Sequence, residues 1–345
     1  ATAADPWGLE YTKLNTAGSG AYKVVKWTPG AEVVMERNDS WSCGPAPKIK
    51  RVIWRMVPSP SNRRALLERG DADVSYDLPS KDFAELKGNA ALKIVSTPFS
   101  NGVQYIGMNV TKPPFNDVRV RRAVAYALPY QKIMDAVLFG LGKPMFGRKP
   151  GTPTEVAWPQ PHQYDTDIAK AKQLMAEAGY ANGFDTTLSF DLGFAVVNEP
   201  LCVLAQESLA QIGIRTTINK IPGSNWRAEL TKKELPLYTN VFSGWLDYPE
   251  YFFFWCYDGQ NSIFNTMSYQ NPAMDKLIAA ARNAAAIGDK PTYDASVKGF
   301  VDLAFEDVPR IPLFQPYSNV AMQKNVDGYA YWFHRRLDYR TMSKS

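Results

Sequence analysis

Histidine is nearly missing from this chain: His162 and His334 are its 2 imidazoles in 345 residues. Serine or cysteine nucleophiles that need an imidazole base would have to use one of them, and neither stands beside a GxSxG elbow. Cysteine is scarce as well. Cys43, Cys202 and Cys256 are widely spaced, with no CxxC pair and no metal-ligand spacing, so at most one disulfide can form. The phosphate-cradling patterns GxxxxGK[ST] and GxGxxG are both absent. Positive charge is not clustered: 39 Lys and Arg against 34 Asp and Glu give +5, in runs no longer than pairs such as Arg121-Arg122 and Lys232-Lys233. A nucleic-acid footprint needs such clustering, so none is expected. The longest apolar run, residues 251–257, is too short to span a bilayer. The opening ATAADPWG lacks the basic and apolar regions of a signal peptide. That leaves a cytosolic protein or a mature or trimmed exported one. Little here supports an enzyme.

What is present suits a soluble globular protein of two domains, with 45% hydrophobic and 21% charged residues. Two β-rich runs at 21–27 and 31–37 flank a Thr-Pro-Gly turn and predict a hairpin. A strand over 49–57 follows. Ser59 then Pro60 suit the N-cap and first position of a helix running to Leu67, with Gly70 as its stop. A short strand is predicted over 71–76 and a short helix over 80–87. A strand at 103–109 ends at KPPF, and Asn116 or Asp117 caps a helix over 118–128. Arg119, Arg121 and Arg122 fall mainly off its apolar face and read as solvated. The Pro- and Gly-rich stretch 140–164 reads as a long irregular excursion anchored by Met145, Phe146 and Trp158. Asp165 or Thr166 caps a helix ending at Ala178. The order strand (186–191), helix (198–211), strand (213–220) predicts a parallel pair with a right-handed crossover. A short helix at 226–233 and a strand at 238–242 come next. Helices over 272–286 and 290–305 precede two extended segments, 310–315 and 319–323. This alternation implies two α/β modules, near 16–102 and 108–312, with a final crossing back to the first. A chain that crosses repeatedly predicts a hinge with a ligand cleft between lobes.

Aromatic density peaks in residues 224–258, SNWRAELTKKELPLYTNVFSGWLDYPEYFFFWCYD, where Asp247 stands among Trp226, Trp245 and Trp255. Aromatic walls with a fixed charge suit a small-molecule or peptide pocket. A core strand followed by a buried aromatic loop is the competing reading.

Four motifs together resemble the dipeptide/oligopeptide-binding family of extracytoplasmic solute-binding proteins that serve ABC importers. They are NTAGSGAYKVVKWTPGAEVVMERN, RRALLERGDADV, NVTKPPFNDVRVRRAVA, and the pair YDTDIAKAKQLMAEAGYANGF and LAQIGIRTTI. The third, with its P-P-F-x-D-x-R-V-R-x-A core, is the most specific, and the likeness runs from Asn15 to the C-terminus. The resemblance implies an α/β, two-lobe, periplasmic-binding-protein-like fold of type II, peptide-binding cluster. Its lobes would be 1–107 with 316–345, and 108–315, with hinges near 105–109 and 314–319. The family pattern starts upstream of Asn15. The first lobe is therefore expected to be incomplete, completed by a missing N-terminal segment or a second chain, or self-associating through its open edges.

The resemblance also implies a binding site. Trp226 and Trp245, 19 positions apart, match tryptophans that line side-chain pockets. Lys233 occupies the place of a basic residue that meets the ligand carboxylate. Asp247 is the expected anchor for a peptide ammonium, with Glu250 second. Trp245-Leu246-Asp247-Tyr248 is one residue shorter than the family's W-x-x-D-Y run. Tyr248 and Tyr105 complete the expected ligand-binding set. The implied role is capture of a peptide or similar polar solute, in a periplasmic or extracytoplasmic location, for a membrane permease, with no catalysis, cofactor or metal. A binder of oligosaccharides or metal chelates is one rival. A hydrolase using a carboxylate pair such as Asp247 and Glu250 is another.

Overall fold

The computed structural model describes residues 2–13, 15–98, 102–145, 164–243, 246, 248–261, 263–332 and 337–345. The chain folds as two compact units, Ala1–Val95 with Ser318–Ser345, and Ser96–Tyr317.

In the first unit a short helix, α1 (Leu9–Thr12), precedes the hairpin β1 (Tyr22–Thr28) and β2 (Glu32–Arg37). The Thr-Pro-Gly turn places Gly30 at φ 73°, in the left-handed region that glycine adopts without strain. β3 (Arg51–Arg55) adds antiparallel to β2, from Glu32↔Arg55 to Glu36↔Arg51. Helix α2 (Pro60–Glu68) begins as its sequence dictates, the Ser59 hydroxyl accepting from Asn62 N–H at 3.3 Å. β4 (Val74–Ser75), α3 (Ser80–Leu86) and β5 (Leu92–Pro98) follow. β5 was not anticipated from the sequence.

The second unit is built on β6 (Gly102–Met108), all of whose residues are buried. A strand covered on both faces loses the apolar–polar alternation of a half-exposed one. Along the chain follow α4 (Val118–Ala127), α5 (Tyr130–Ala136), β7 (Gly142–Pro144), α6 (Ile168–Glu177) and β8 (Phe184–Asp191). Then come α7 (Ala195–Ala210), β9 (Ile214–Ile221), α8 (Gly223–Lys232), β10 (Leu237–Ser243), α9 (Pro249–Tyr257), α10 (Pro272–Ile287), α11 (Lys290–Asp307) and β11 (Arg310–Gln323). β6 pairs antiparallel with β10 on one side and with β11 on the other, while β10, β8 and β9 run parallel. β8–α7–β9 is the expected parallel crossover unit. Within this sheet Gly107 faces Tyr238 across the β6–β10 pair, and a Cβ on Gly107 would lie 2.5 Å from the tyrosine ring. The ring fills the space that a side chain at 107 would need.

β11 ends in the first unit, where Ala321 and Met322 pair with Ser75 and Val74. There Val320, Met322, Val326 and Met342 form a small core, closed by β12 (Val326–Asp327) and β13 (Ser343–Lys344).

Several expectations are corrected. Residues 310–323 form one strand, not two segments: the register shifts between Pro312 and Phe314, and a bulge there accommodates a residue that cannot donate to the ladder. The aromatic run after Tyr248 is helical. Arg121 is buried, 6% exposed, not solvated. Its guanidinium donates to the carbonyls of Phe115, Asn116 and Asp307, acceptors that the ends of neighbouring segments leave open. Asp167, not Asp165 or Thr166, caps α6, accepting from Lys170 N–H at 2.8 Å, while the Thr166 hydroxyl is spent on the Leu128 carbonyl. The expected excursion at 140–164 begins with β7 and lies, from 146 to 163, outside the described residues.

Candidate ligand-binding site

The expected site residues fall into three groups. Trp245 and Asp247 lie outside the described residues, as do His162 and His334. Tyr105 and Trp226 are buried in the second unit, 2% and 6% exposed. Lys233, Tyr248 and Glu250 lie nearer its surface.

The buried pair belongs to one hydrogen-bonded chain. α8 starts at a Pro222–Gly223 turn and turns Trp226 inward, where its indole N–H donates to Asn240 Oδ1 at 3.1 Å. Asn240 Nδ2 donates in turn to the Tyr105 hydroxyl at 3.1 Å. The rings of Trp226 and Tyr105 both meet Tyr238 edge-on, with centroids 6.4 and 6.3 Å away. Tyr238 shares a hydrogen with Thr266 at 2.5 Å, and burial pushes its phenol well above the ordinary range. On the other face of the same strands Gln104 Nε2 donates to Thr239 Oγ1 at 2.7 Å and to Asn198 Oδ1 at 3.2 Å. Thr239 donates to the Tyr105 carbonyl at 3.1 Å. The network fixes both aromatic side chains, because breaking any link strands a buried polar atom. Asn240, Gln104 and Tyr238 were not singled out from the sequence. Polar side chains inside strands bounded by buried neighbours were the available signal.

Lys233 closes α8 in the left-handed conformation, φ 57° and ψ 39°. Asn109 Nδ2 donates to its carbonyl at 2.5 Å, and burial pushes its ammonium below the usual lysine range. A non-glycine residue there is strained by about 1–2 kcal/mol. Lys233→Gly is expected to raise the unfolding free energy by about 0.5–1 kcal/mol, net of glycine's larger unfolded-state entropy. Urea denaturation checks it, and a loss of stability would show that the lysine side chain contributes more than its backbone costs.

Tyr248 is the N-cap residue of α9 and is 55% exposed. Glu250, in the first turn of α9, accepts from the Tyr293 hydroxyl at 2.7 Å, and burial, then this carboxylate, push that phenol up. Cys43, Cys202 and Cys256 are free thiols, the latter two buried. Among the described residues no His, Cys, Asp and Glu side chains gather in a group of three or more that could hold a metal ion, and no helix is long and apolar enough to cross a membrane.

Two α/β units, the larger with a mixed sheet and parallel crossovers, form the type II periplasmic-binding-protein fold. The chain belongs to the bacterial extracellular solute-binding proteins, family 5, whose "Middle" profile matches residues 2–264. It is 30% identical over 327 residues to the glutathione-binding protein GsiB of Salmonella paratyphi A, covering 92% of this chain and 62% of that one. Among solved structures it is similar to the oligopeptide-binding protein AppA of Bacillus subtilis in complex with a nonapeptide. That match has 25% identity and a TM-score of 0.76, covering 95% of this chain and 67% of that one. The fold is also shared with AgaA of A. tumefaciens R10 in complex with agropinic acid, at 22% identity and a TM-score of 0.82, covering 100% and 71%. The chain spans about 62% of the length of the curated GsiB relatives it matches.

Proposed function

We propose that this chain belongs to a solute-binding protein that captures a peptide or similar polar solute and delivers it to the permease of an ABC importer, outside the cytoplasm and without catalysing a reaction. The observation that carries this reading is the family match over residues 2–264. The relatives support the ligand class through GsiB and through AppA with its nonapeptide.

A peptide zwitterion needs one anionic and one cationic partner, and charge-assisted hydrogen bonds are the strong ones. Asp247 takes the ammonium, with Glu250 second, and Lys233 takes the carboxylate. Trp226, Trp245, Tyr248 and Tyr105 supply aromatic surface. Of these, Trp226 and Tyr105 act chiefly as a rigid wall, since both are already held in the core.

Calorimetry with di- to pentapeptides, each with a free or an acetylated N-terminus, tests the assignment. Asp247→Ala is expected to weaken free-amine peptides about 10- to 100-fold, the worth of a hydrogen bond to a charged group, and to leave acetylated ones unchanged. Equal affinity of wild type and variant for free-amine peptides would remove Asp247 from the role. Turnover of a peptide or glycoside would overturn the binding-protein reading altogether.

A further inference from the structure

Arg310, at the start of β11, is the largest fully buried side chain among the described residues, 1% exposed. Its guanidinium carbon lies 3.8 Å from the centroid of Tyr105, and the rings of Tyr257 and Phe252 stand 5.6 and 5.8 Å away. Nε and Nη2 donate to the Met267 thioether at 3.3 and 3.0 Å, and Nη2 also to the Phe264 carbonyl at 3.3 Å. Among the described residues Nη1, which is buried, has no hydrogen-bond partner, and no carboxylate pairs with the cation. Burial pushes the neighbouring Cys256 thiol up, while Arg310 draws it down less strongly, so the thiol is neutral and offers no countercharge. Aromatic faces and a thioether attract a guanidinium weakly compared with the cost of stripping it of water.

Arg310 also lines a cavity of about 30 Å³, whose other walls include Val103, Phe253, Val301, Ala304 and Pro312. That volume admits a single atom-sized guest. A water there would need two to four polar partners, some of them acceptors for its hydrogens, and these walls are nearly all apolar or aromatic. A monovalent anion needs donors only and neutralises the charge.

We propose that this cavity is a binding site for one small monovalent anion of halide type, held by Arg310 Nη1. The site lies against Tyr105, one of the residues proposed to face the solute, and stands whether or not the solute is a peptide.

Chloride and bromide are the probes. Thermal unfolding of the full chain is followed as chloride replaces gluconate at constant ionic strength. The midpoint is expected to rise by about 2–4 °C for each tenfold increase in chloride above its dissociation constant. In Arg310→Met, which keeps an unbranched apolar stem of similar reach, the dependence should vanish. Crystals grown in bromide should show one anomalous peak beside Arg310 Nη1. If Arg310→Met fails to fold, the anomalous peak alone decides. A midpoint indifferent to chloride, or density at Nη1 without anomalous signal in bromide, would assign the cavity to water and overturn the proposal.

Discussion

Arg310→Ala is expected to lower the unfolding free energy by about 3–5 kcal/mol, the range for truncating a large buried side chain that leaves a cavity behind. The stem and guanidinium pack among Tyr105, Phe252, Tyr257 and Met267, and these cannot close over the space without moving β6 and α9. Arg310→Met should cost far less, within about 1 kcal/mol of wild type in either direction. In chloride-free buffer it fills much of the same volume and removes the unpaired charge together with its desolvation penalty. Urea denaturation of the two variants separates shape from charge. Equal, large losses would show that the cation itself stabilises the fold, through the aromatic faces or a bound counterion. A small loss in Arg310→Ala would mean that the surrounding rings collapse inward.

The second large effect is expected at Gly183, where β8 and β9 begin side by side. Gly183 has φ 71°, and a Cβ added there would lie 1.8 Å from the Gly213 carbonyl oxygen. That carbonyl accepts from Phe184 N–H at 3.1 Å and sets the first register pair, Phe184↔Ile214. Backbone blocks the side chain, so rotamer changes cannot relieve the clash, and the two strand ends must part. Gly183→Ala should therefore cost more than about 3 kcal/mol, combining left-handed strain with overpacking. Gly179 is the control. It has φ 86° and nothing within 4 Å of a built Cβ, so Gly179→Ala should cost only the conformational share, about 1–2 kcal/mol. If the two substitutions cost the same, the close approach of Gly213 contributes nothing.

Much of the fold was legible because local chemistry decided it. The Pro-Gly turn with its flanking β-branched residues produced the first hairpin, and Ser59-Pro60 began a helix where a cap and a proline are compatible. What escaped was governed by tertiary context. α9, with the sequence PEYFFFWCY, is apolar on every side, so its pattern has no helical period to read, and only Pro249 at its start marks it. Arg121 sits on α4 among residues whose spacing suggested solvent. Its guanidinium is held by two carbonyls just ahead of the helix and by that of the distant Asp307, which no helical wheel displays. β11 reads as broken between Gln315 and Asn319, yet the strand runs on through Pro316, which pairs with Gly142 of β7.

The site was legible only as a set of candidates. Trp226 and Tyr105 are joined through Asn240, a link between α8, β10 and β6 that sequence spacing cannot reveal. The buried cation at Arg310 followed the same rule. An arginine opening a strand reads as an exposed end until the rings around it are known.

The tyrosine ring lying over Gly107 ties two distant codons together. A mutation that enlarges residue 107 meets the Tyr238 ring at once, and one that shrinks residue 238 exposes a void above a bare backbone. Neither step is tolerated well alone, so the pair can drift only by a concerted exchange, a larger side chain at 107 with a smaller one at 238. Among descendants of this sequence, positions 107 and 238 should accordingly be inherited as a unit.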